Sequence, residues 1–514
     1  MKRLLFFAVV VLGCLSLSAQ GGKKIMYRAD MGYYDEDFLP GAQRLIGNVK
    51  FAQGNAVGYC DSAYLYDAEN YIIAFGNPVK IVVGDSVFLY GKTANFDGNA
   101  RQASISQSVR LVNGNAYLVS DSLFYNLNTD CGYYNTGGIM YNGDDTLSSI
   151  IGRYYTRTDD AYLNGDVLLR STNYKVYCDS LRYNAANKTA YFISPTRMVG
   201  DDNEIFTSSG YYNTETEKTT LSGQVSLVNK DQSLFADSIY YDKNLHFGRA
   251  WNNVTYVDTT NNFIVKGNYM EHYEKGGTSI VTDSNMLVVI DDNNDSLFLH
   301  SDTLLVDFDT TGNVTLMRAF NHTKFYHKDI QGACDSVSYV VSDSVLTMFY
   351  EPVLWTDTYQ MTADTIRFTR VDSLNSVVEL ANSGFIIGGV FENTEFNQIK
   401  GLSITGYIVD KDLKTVDIDG NAECVYYLQE EDSTLVGINS SITSRMHIML
   451  DSNKIHQIRY YDAPDGQIYP DDQIDDKDRK LKGFVWLDEF RPYKIEDIFI
   501  KPVVRNRRSD EDGR

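Results

Sequence analysis

One short phrase returns again and again along this chain: a small residue, then Asp, then Ser or Thr, then an apolar residue and an aromatic close behind. It reads "YCDSAYLY" at 59–66, "YCDSLRYN" at 177–184, "FADSIYYD" at 235–242, "ACDSVSYV" at 333–340 and "TADTIRFT" at 362–369. A catalytic motif is needed once. A unit that buries its apolar face only by stacking on copies of itself is needed many times, and a fixed recurrence is the sequence mark of such repeat architectures.

A second pattern follows each phrase. Examples are "IGNVKF" (46–51), "FGNPVKI" (75–81), "ISQSVRL" (105–111), "LNGDVLL" (163–169) and "LSGQVSL" (221–227). Here apolar and polar residues alternate: Val49 and Phe51 flank Lys50, Val79 and Ile81 flank Lys80, Val109 and Leu111 flank Arg110, Val225 and Leu227 flank Ser226. Val167 and Leu169 follow the same rule. Period two with one apolar face is the signature of a half-buried strand. The Gly-Asn, Gly-Asp and Gly-Gln pairs before it predict a bend or bulge. Links such as "YDAENYI" and "YNAANKT" are rich in Asp and Asn, as tight turns require. Copies lie roughly thirty residues apart and number about thirteen, each a strand, a turn and a bent strand. Strict alternation would put Asp237 on the apolar face of "FADSIYY", a costly place for a carboxylate. A bend at Ala-Asp-Ser resolves this by turning the small residue inward and leaving Asp to bond nearby polar groups. The fold class is all-β, an elongated stack of antiparallel strands.

Heavy use of Tyr (38 residues) and sparse Pro (8) suit such a chain. The net charge of −22 speaks against a nucleic-acid partner, which needs clustered Lys and Arg. Residues 1–19, with two early basic residues, an apolar run and a small-residue end, read as a secretory signal peptide cut after Ala19. The alternative is lipidation of Cys14 in "VLGC". Repeats are expected over 20–460, as one module or several consecutive ones. An acidic, repeat-free cap or docking segment is expected over 461–502, and a disordered tail over 503–514.

Chemistry is not evident. Cys60, Cys178 and Cys334 occupy the slot that Ala236 and Ala363 fill in other copies, so they read as small apolar residues; with Cys131 and Cys424 they form no disulfide framework. His322 and His327 are five apart and on opposite faces of a strand. "DDNNDS" (291–296) lacks the glycine and distal Glu of a calcium loop. No nucleophile elbow, phosphate loop or Cys-x-x-Cys is present. No metal, cofactor or catalytic residue is expected, and the protein reads as a non-enzyme.

The pattern "LSGQVSL…SLFADSIYYD" (221–242), with its copies at 46–66 and 163–183, resembles the repeat of the OstA-like family. The lipopolysaccharide-transport bridge LptA and the periplasmic part of LptD belong to that family. The resemblance implies a V-shaped β-jelly roll (a β-taco) whose apolar groove holds the lipid A acyl chains of lipopolysaccharide. It implies a periplasmic scaffold carrying that lipid toward the outer membrane, and edge-strand stacking on other transport proteins or on a further copy of the chain. The groove-lining candidates are then Val49, Phe51, Val79, Ile81, Val109, Leu111, Val167, Leu169, Val225 and Leu227. The chain is longer than a simple bridge. Its strands read as shorter than the ~9–11 residues of a membrane barrel, so a terminal barrel is not expected. Two other readings compete. One is an exported structural or adhesive solenoid with a closed core. The more remote is a polysaccharide-acting enzyme with paired carboxylates in a groove.

Overall fold

The computed structural model describes residues 24–37, 40–290, 295–356, 358–410, 412–430, 434–451 and 454–501. The predicted leader with Cys14, residues 291–294 of "DDNNDS" and the tail 503–514 lie outside the described residues. The described chain is built of antiparallel strands, and its only helical pieces are three short 3-10 turns between Asp471 and Phe499. It divides into two compact units, Met1–Ser194 and Pro195–Arg514.

In the first unit the strands Gln43–Gln53, Ala56–Tyr66, Tyr71–Val83, Val87–Asp97, Gln102–Asn113 and Ala116–Asn126 each pair antiparallel with the next. They hold 11 to 13 residues apiece. This corrects the expectation of short strands. Each apparent half-strand in the sequence is one arm of a longer strand that turns a corner in mid-course. In the next passes the corner breaks the strand outright. Cys131–Tyr134 and Gly138–Asn142 are two pieces lying on the two arms of Ala116–Asn126.

The corner explains the recurrent phrase. Register slips between Ile46 and Val49, between Asn164 and Val167, and between Ser222 and Val225, where two residues face one on the partner strand. Those two residues are left-handed: Gly47 and Asn48 at φ 81° and 45°, Gly165 and Asp166 at 76° and 46°, Gly223 and Gln224 at 82° and 59°. Glycine takes that conformation freely and Asn and Asp tolerate it best among the rest, hence the Gly-Asn and Gly-Asp pairs. The single residue opposite is the Asp of the phrase. Asp61 and Asp179 lie exposed on the outside of the turn. Asp61 accepts a hydrogen bond from the backbone N–H of Asn77 (3.1 Å), and half-buried Asp237 accepts one from the Asn253 amide (3.0 Å). No carboxylate of these three enters the apolar interior. The preceding small residue turns inward instead, so Val49 faces Cys60, Val167 faces Cys178 and Val225 faces Ala236, and Gly91, which precedes Lys92, fills the same slot opposite Val79.

All five described cysteines are free thiols. Burial pushes Cys60 and Cys424 up to about 12, which leaves them protonated and inert.

The second unit repeats the plan with widening rungs. Thr219–Val228 and Gln232–Asp242 have 10 and 11 residues, whereas Ser376–Val390, Glu395–Val409, Asp412–Gln429 and Leu435–Asp451 have 15, 15, 18 and 17. Pairing continues past residue 460, since Lys454–Tyr461 and Asp465–Tyr469 both lie on Leu435–Asp451. From there the chain turns back as an extended strap. Ile474 packs with Val425, Tyr427 and Ile438, while Leu481, Phe484 and Trp486 cover Phe385, Ile387 and Phe396. Phe499 reaches His300, with ring centroids 4.6 Å apart.

Candidate functional site

In the first unit the inward residues form continuous rows across the strands. Phe51, Gly58, Ile81, Leu89, Leu111 and Leu118 oppose one another in turn, and the row continues through Met140, Leu147 and Leu169. The structure thus brings Phe51, Ile81, Leu111 and Leu169 into one row. Val49, Val79, Val109 and Val167 take equivalent places beside the corner, two residues nearer the bend. All eight are at most 3% exposed. Val225 and Leu227 hold the same positions in the second unit, where Val225 is buried and Leu227 half-buried.

These rows are packed shut. The rings of Phe51 and Phe96, on opposite arms, lie 6.1 Å apart. A Cβ added to Gly91 would stand 2.4 Å from Ile105 of the other arm, and one added to Gly132 would stand 2.8 Å from Leu111. Such distances show arms in full contact. The mouth between the arm tips is also tied. Buried Gln53 donates to the Gly98 carbonyl (2.8 Å), and buried Asn142 donates to the Tyr183 hydroxyl (3.0 Å) and the Ala185 carbonyl (2.8 Å). Buried Asn113 donates to the Tyr154 hydroxyl (3.1 Å) and the Thr156 carbonyl (2.9 Å). Burial, with a hydrogen bond to Asp159 adding to it, drives the Tyr154 hydroxyl far above its ordinary value, so it stays a neutral partner in this knot.

The wide end of the second unit is different. Between its two arms lies a cavity of about 350 Å³, within the usual range for ligand sites. One wall is Val378, Leu380, Ile404, Val416 and Ile448. Their register aligns Val378, Gly406, Val416 and Ile448 in one row and Leu380 and Ile404 in the next. The other wall is Met361, Ile386 and Ile399, themselves directly paired. Toward the rim stand Ile408, Leu413, Leu450 and Ile455, all partly exposed, with Tyr359 and Thr356 across from them. The cause is geometric. Four to seven more residues per strand than the 11 of Gln232–Asp242 add about 13–23 Å of contour, more than facing side chains fill. Apart from Asp329 at the rim, the lining holds no charge. It offers contacts mainly to hydrocarbon, its side-chain polar groups being those of Asp329, Thr356, Thr358 and Tyr359.

A larger space, about 720 Å³, lies under the strap, but Lys324, Asp335, Glu351, Asp364 and Glu489 share its walls. Among the described residues no group of three or more His, Cys, Asp or Glu is placed to hold a metal ion. His322 instead meets Asp302 (2.8 Å).

None of the cavity residues stands among the sequence candidates. The signal was present in "SITGYIV" (403–409), where Ile404, Gly406 and Ile408 alternate, and in the Val378–Leu380 pair. Alternation marks a face as inward, but it does not reveal how far apart the two arms will stand.

The chain is therefore a stacked-rung, all-β scaffold with a hydrocarbon-like interior. The family model described as "OstA-like protein" matches residues 22–179 and again 167–237, and over that stretch the chain is similar to that family. Among solved structures it is similar to LptH, the LptA-homologous periplasmic component of the lipopolysaccharide transport device from Pseudomonas aeruginosa. Identity is 15%, over 20% of this chain and 76% of that one, with a TM-score of 0.19. No curated protein matches the chain.

Proposed function

We propose that the protein is a periplasmic lipid-binding scaffold that helps carry lipopolysaccharide to the outer membrane, and that it takes lipid A acyl chains at the wide end of its second unit. The aliphatic cavity between Val378, Leu380, Ile404 and Val416 carries this reading. Val225 and Leu227 are proposed lipid-facing rungs of the second unit, and Val49, Phe51, Val79, Ile81, Val109, Leu111, Val167 and Leu169 are proposed as those of the first, which would require its closed arms to open. Edge strands at either end offer pairing positions for other transport proteins or a second copy. Residues 1–19 act in this reading as the export signal, with Cys14 the alternative lipid anchor. The strap is the docking or capping segment.

One observation favours a second reading, a structural solenoid with a dry core: the closed, amide-tied interior of the first unit. Photo-crosslinking in cells that make lipopolysaccharide separates the two. A photoreactive residue replaces Leu413 at the cavity rim in one strain, its outward neighbour Lys414 in a second, and Leu227 or Ser226 in two more. Lipopolysaccharide adducts at Leu413 and not at Lys414 are expected, with Leu227 exceeding Ser226. Well-expressed protein without adducts at any inward position would sink the transport reading in favour of the solenoid.

A further inference from the structure

The outer face of the first unit carries a row that the apolar interior does not explain. Register across successive strands aligns Arg28, Lys50, Tyr59, Lys80, Tyr90 and Arg110, each directly opposite the next. All six point away from the buried rows, with Arg28, Lys50, Tyr59 and Arg110 exposed. Two residues further out along the strands, Phe88, Tyr117 and Tyr141 add aromatic surface. The rings of Tyr117 and Tyr141 stack 4.8 Å apart.

Among the described residues none of these four cations pairs with a carboxylate. Three of them lie over rings instead: Lys50 Nζ 5.6 Å from Tyr59, Lys80 Nζ 5.2 Å from Phe88, and the Arg110 guanidinium 4.3 Å from Tyr117. The acids on this face nearest the row, Asp30, Asp61 and Asp121, belong to the corner, two residues along the chain from Arg28, Tyr59 and Val119. On a chain of net charge −22, a line of four cations without acidic partners is a local reversal of sign. Cross-strand cation–aromatic pairs do help a sheet. That role alone gives no reason for the row to leave out acidic side chains.

We propose that this row is a binding site for an acidic polysaccharide lying across the strands. Neighbouring strands stand about 4.8 Å apart, close to the length of one pyranose ring in a linear glycan. A chain laid along the row would meet one side chain per sugar. Tyrosine faces take the apolar faces of the rings, and the cations between them take carboxylate or phosphate groups. The row lies on the opposite face of the sheet from the apolar interior, so it stands or falls apart from the acyl-chain reading.

The test uses the full chain and polygalacturonate as probe. Neutral dextran, galacturonate monomer and phosphatidylglycerol vesicles serve as controls. Binding to the polymer is expected, weakening with added salt. Lys50→Gln/Lys80→Gln/Arg110→Gln should weaken it roughly tenfold or more, because three cations no longer displace counterions. Tyr59→Ser/Tyr90→Ser keeps every charge and should also weaken it several-fold. Thermal unfolding of each variant checks that the fold is intact. Four results would overturn the proposal. They are absence of polymer binding, equal binding by the folded triple variant, full binding by the tyrosine variant (a diffuse charge effect), and vesicle binding that matches the polymer (a membrane surface).

Discussion

Most residues of the repeat are explained by one local demand, that each strand turn a corner without exposing its interior or burying a charge. The Asp goes outside, the small residue goes inside, and the inside slot stays small because the opposite arm fills the space. Ile105 against Gly91 and Ile418 against Gly401, each 2.4 Å from where a Cβ would stand, repeat one contact in both units. Lys324 breaks the pattern. It is 6% exposed, with Asp497 as its compensating charge, and burial pulls its ammonium below the ordinary lysine value of 10.5. The folded state therefore resists holding that proton while the unfolded chain does not. The penalty is full below the folded pKa and is relieved as pH rises toward the unfolded one. Lys324→Met should accordingly raise unfolding stability by about 1–2 kcal/mol near neutral pH. Its advantage over the parent should shrink as pH climbs toward 10.5. Urea melts of both proteins across that range check this, and an advantage that is flat or grows with pH would contradict it.

At the scale of elements, the strap is held by a row of buried glutamines on the outer side of one arm. Gln398 donates to the Arg479 carbonyl (2.7 Å) and accepts from the Leu481 N–H (2.8 Å). Gln360 does the same with Val485 (2.8 Å) and Leu487 (2.7 Å), and Gln331 accepts from the Arg491 guanidinium (2.8 Å). Trp355 stands between Gln331 and Gln360 in the row, and Ile387 between Gln360 and Gln398. The amides of Gln398 and Gln360 thus read the main chain of an extended segment while Gln331 holds a side chain of it, and the aromatic contacts of Phe396 with Phe484 and Trp486, both 5.1 Å, fill the space between. Gln398→Ala leaves a buried N–H and a buried carbonyl without partners and should cost about 1–3 kcal/mol. Gln398→Glu keeps the acceptor but loses the donor and adds a charge, so it should cost more. Hydrogen exchange at the Leu481 amide checks both, since protection there should fall in step with the loss of stability. The sequence could mark residues after 460 as different because they lack the repeat. It could not place them, because Gln398 and Leu481 are 83 residues apart and nothing periodic links them. The arms were legible for the opposite reason: their alternation is local, and Val49, Phe51, Val79 and Ile81 all face inward as that alternation requires.

At the scale of the whole molecule, the repeat builds two kinds of interior from one local rule. Where strands have about 11 residues the arms meet and their tips are knotted by Gln53, Asn113 and Asn142. Where they reach 15 to 18 the arms stand apart and an aliphatic space remains. Rung length therefore decides whether a unit is filled or vacant, and no single repeat copy contains that information. If the vacant end receives acyl chains, filling it with protein should abolish uptake while sparing the fold. Val416→Phe places a ring beside Val378 and Ile448, where the cavity takes the added carbons at no strain. Its stability should stay within about 1 kcal/mol of the parent, in contrast to the 1–3 kcal/mol typical of overpacking a filled core. Val109→Phe, in the tightly packed first unit, is the matched control and should show that larger loss. In cells carrying the photoreactive residue at Leu413, Val416→Phe should remove the lipopolysaccharide adduct without lowering protein level. An adduct that survives would mean that the lipid touches the rim and never enters. The acyl-chain site would then have to lie elsewhere along the inward rows.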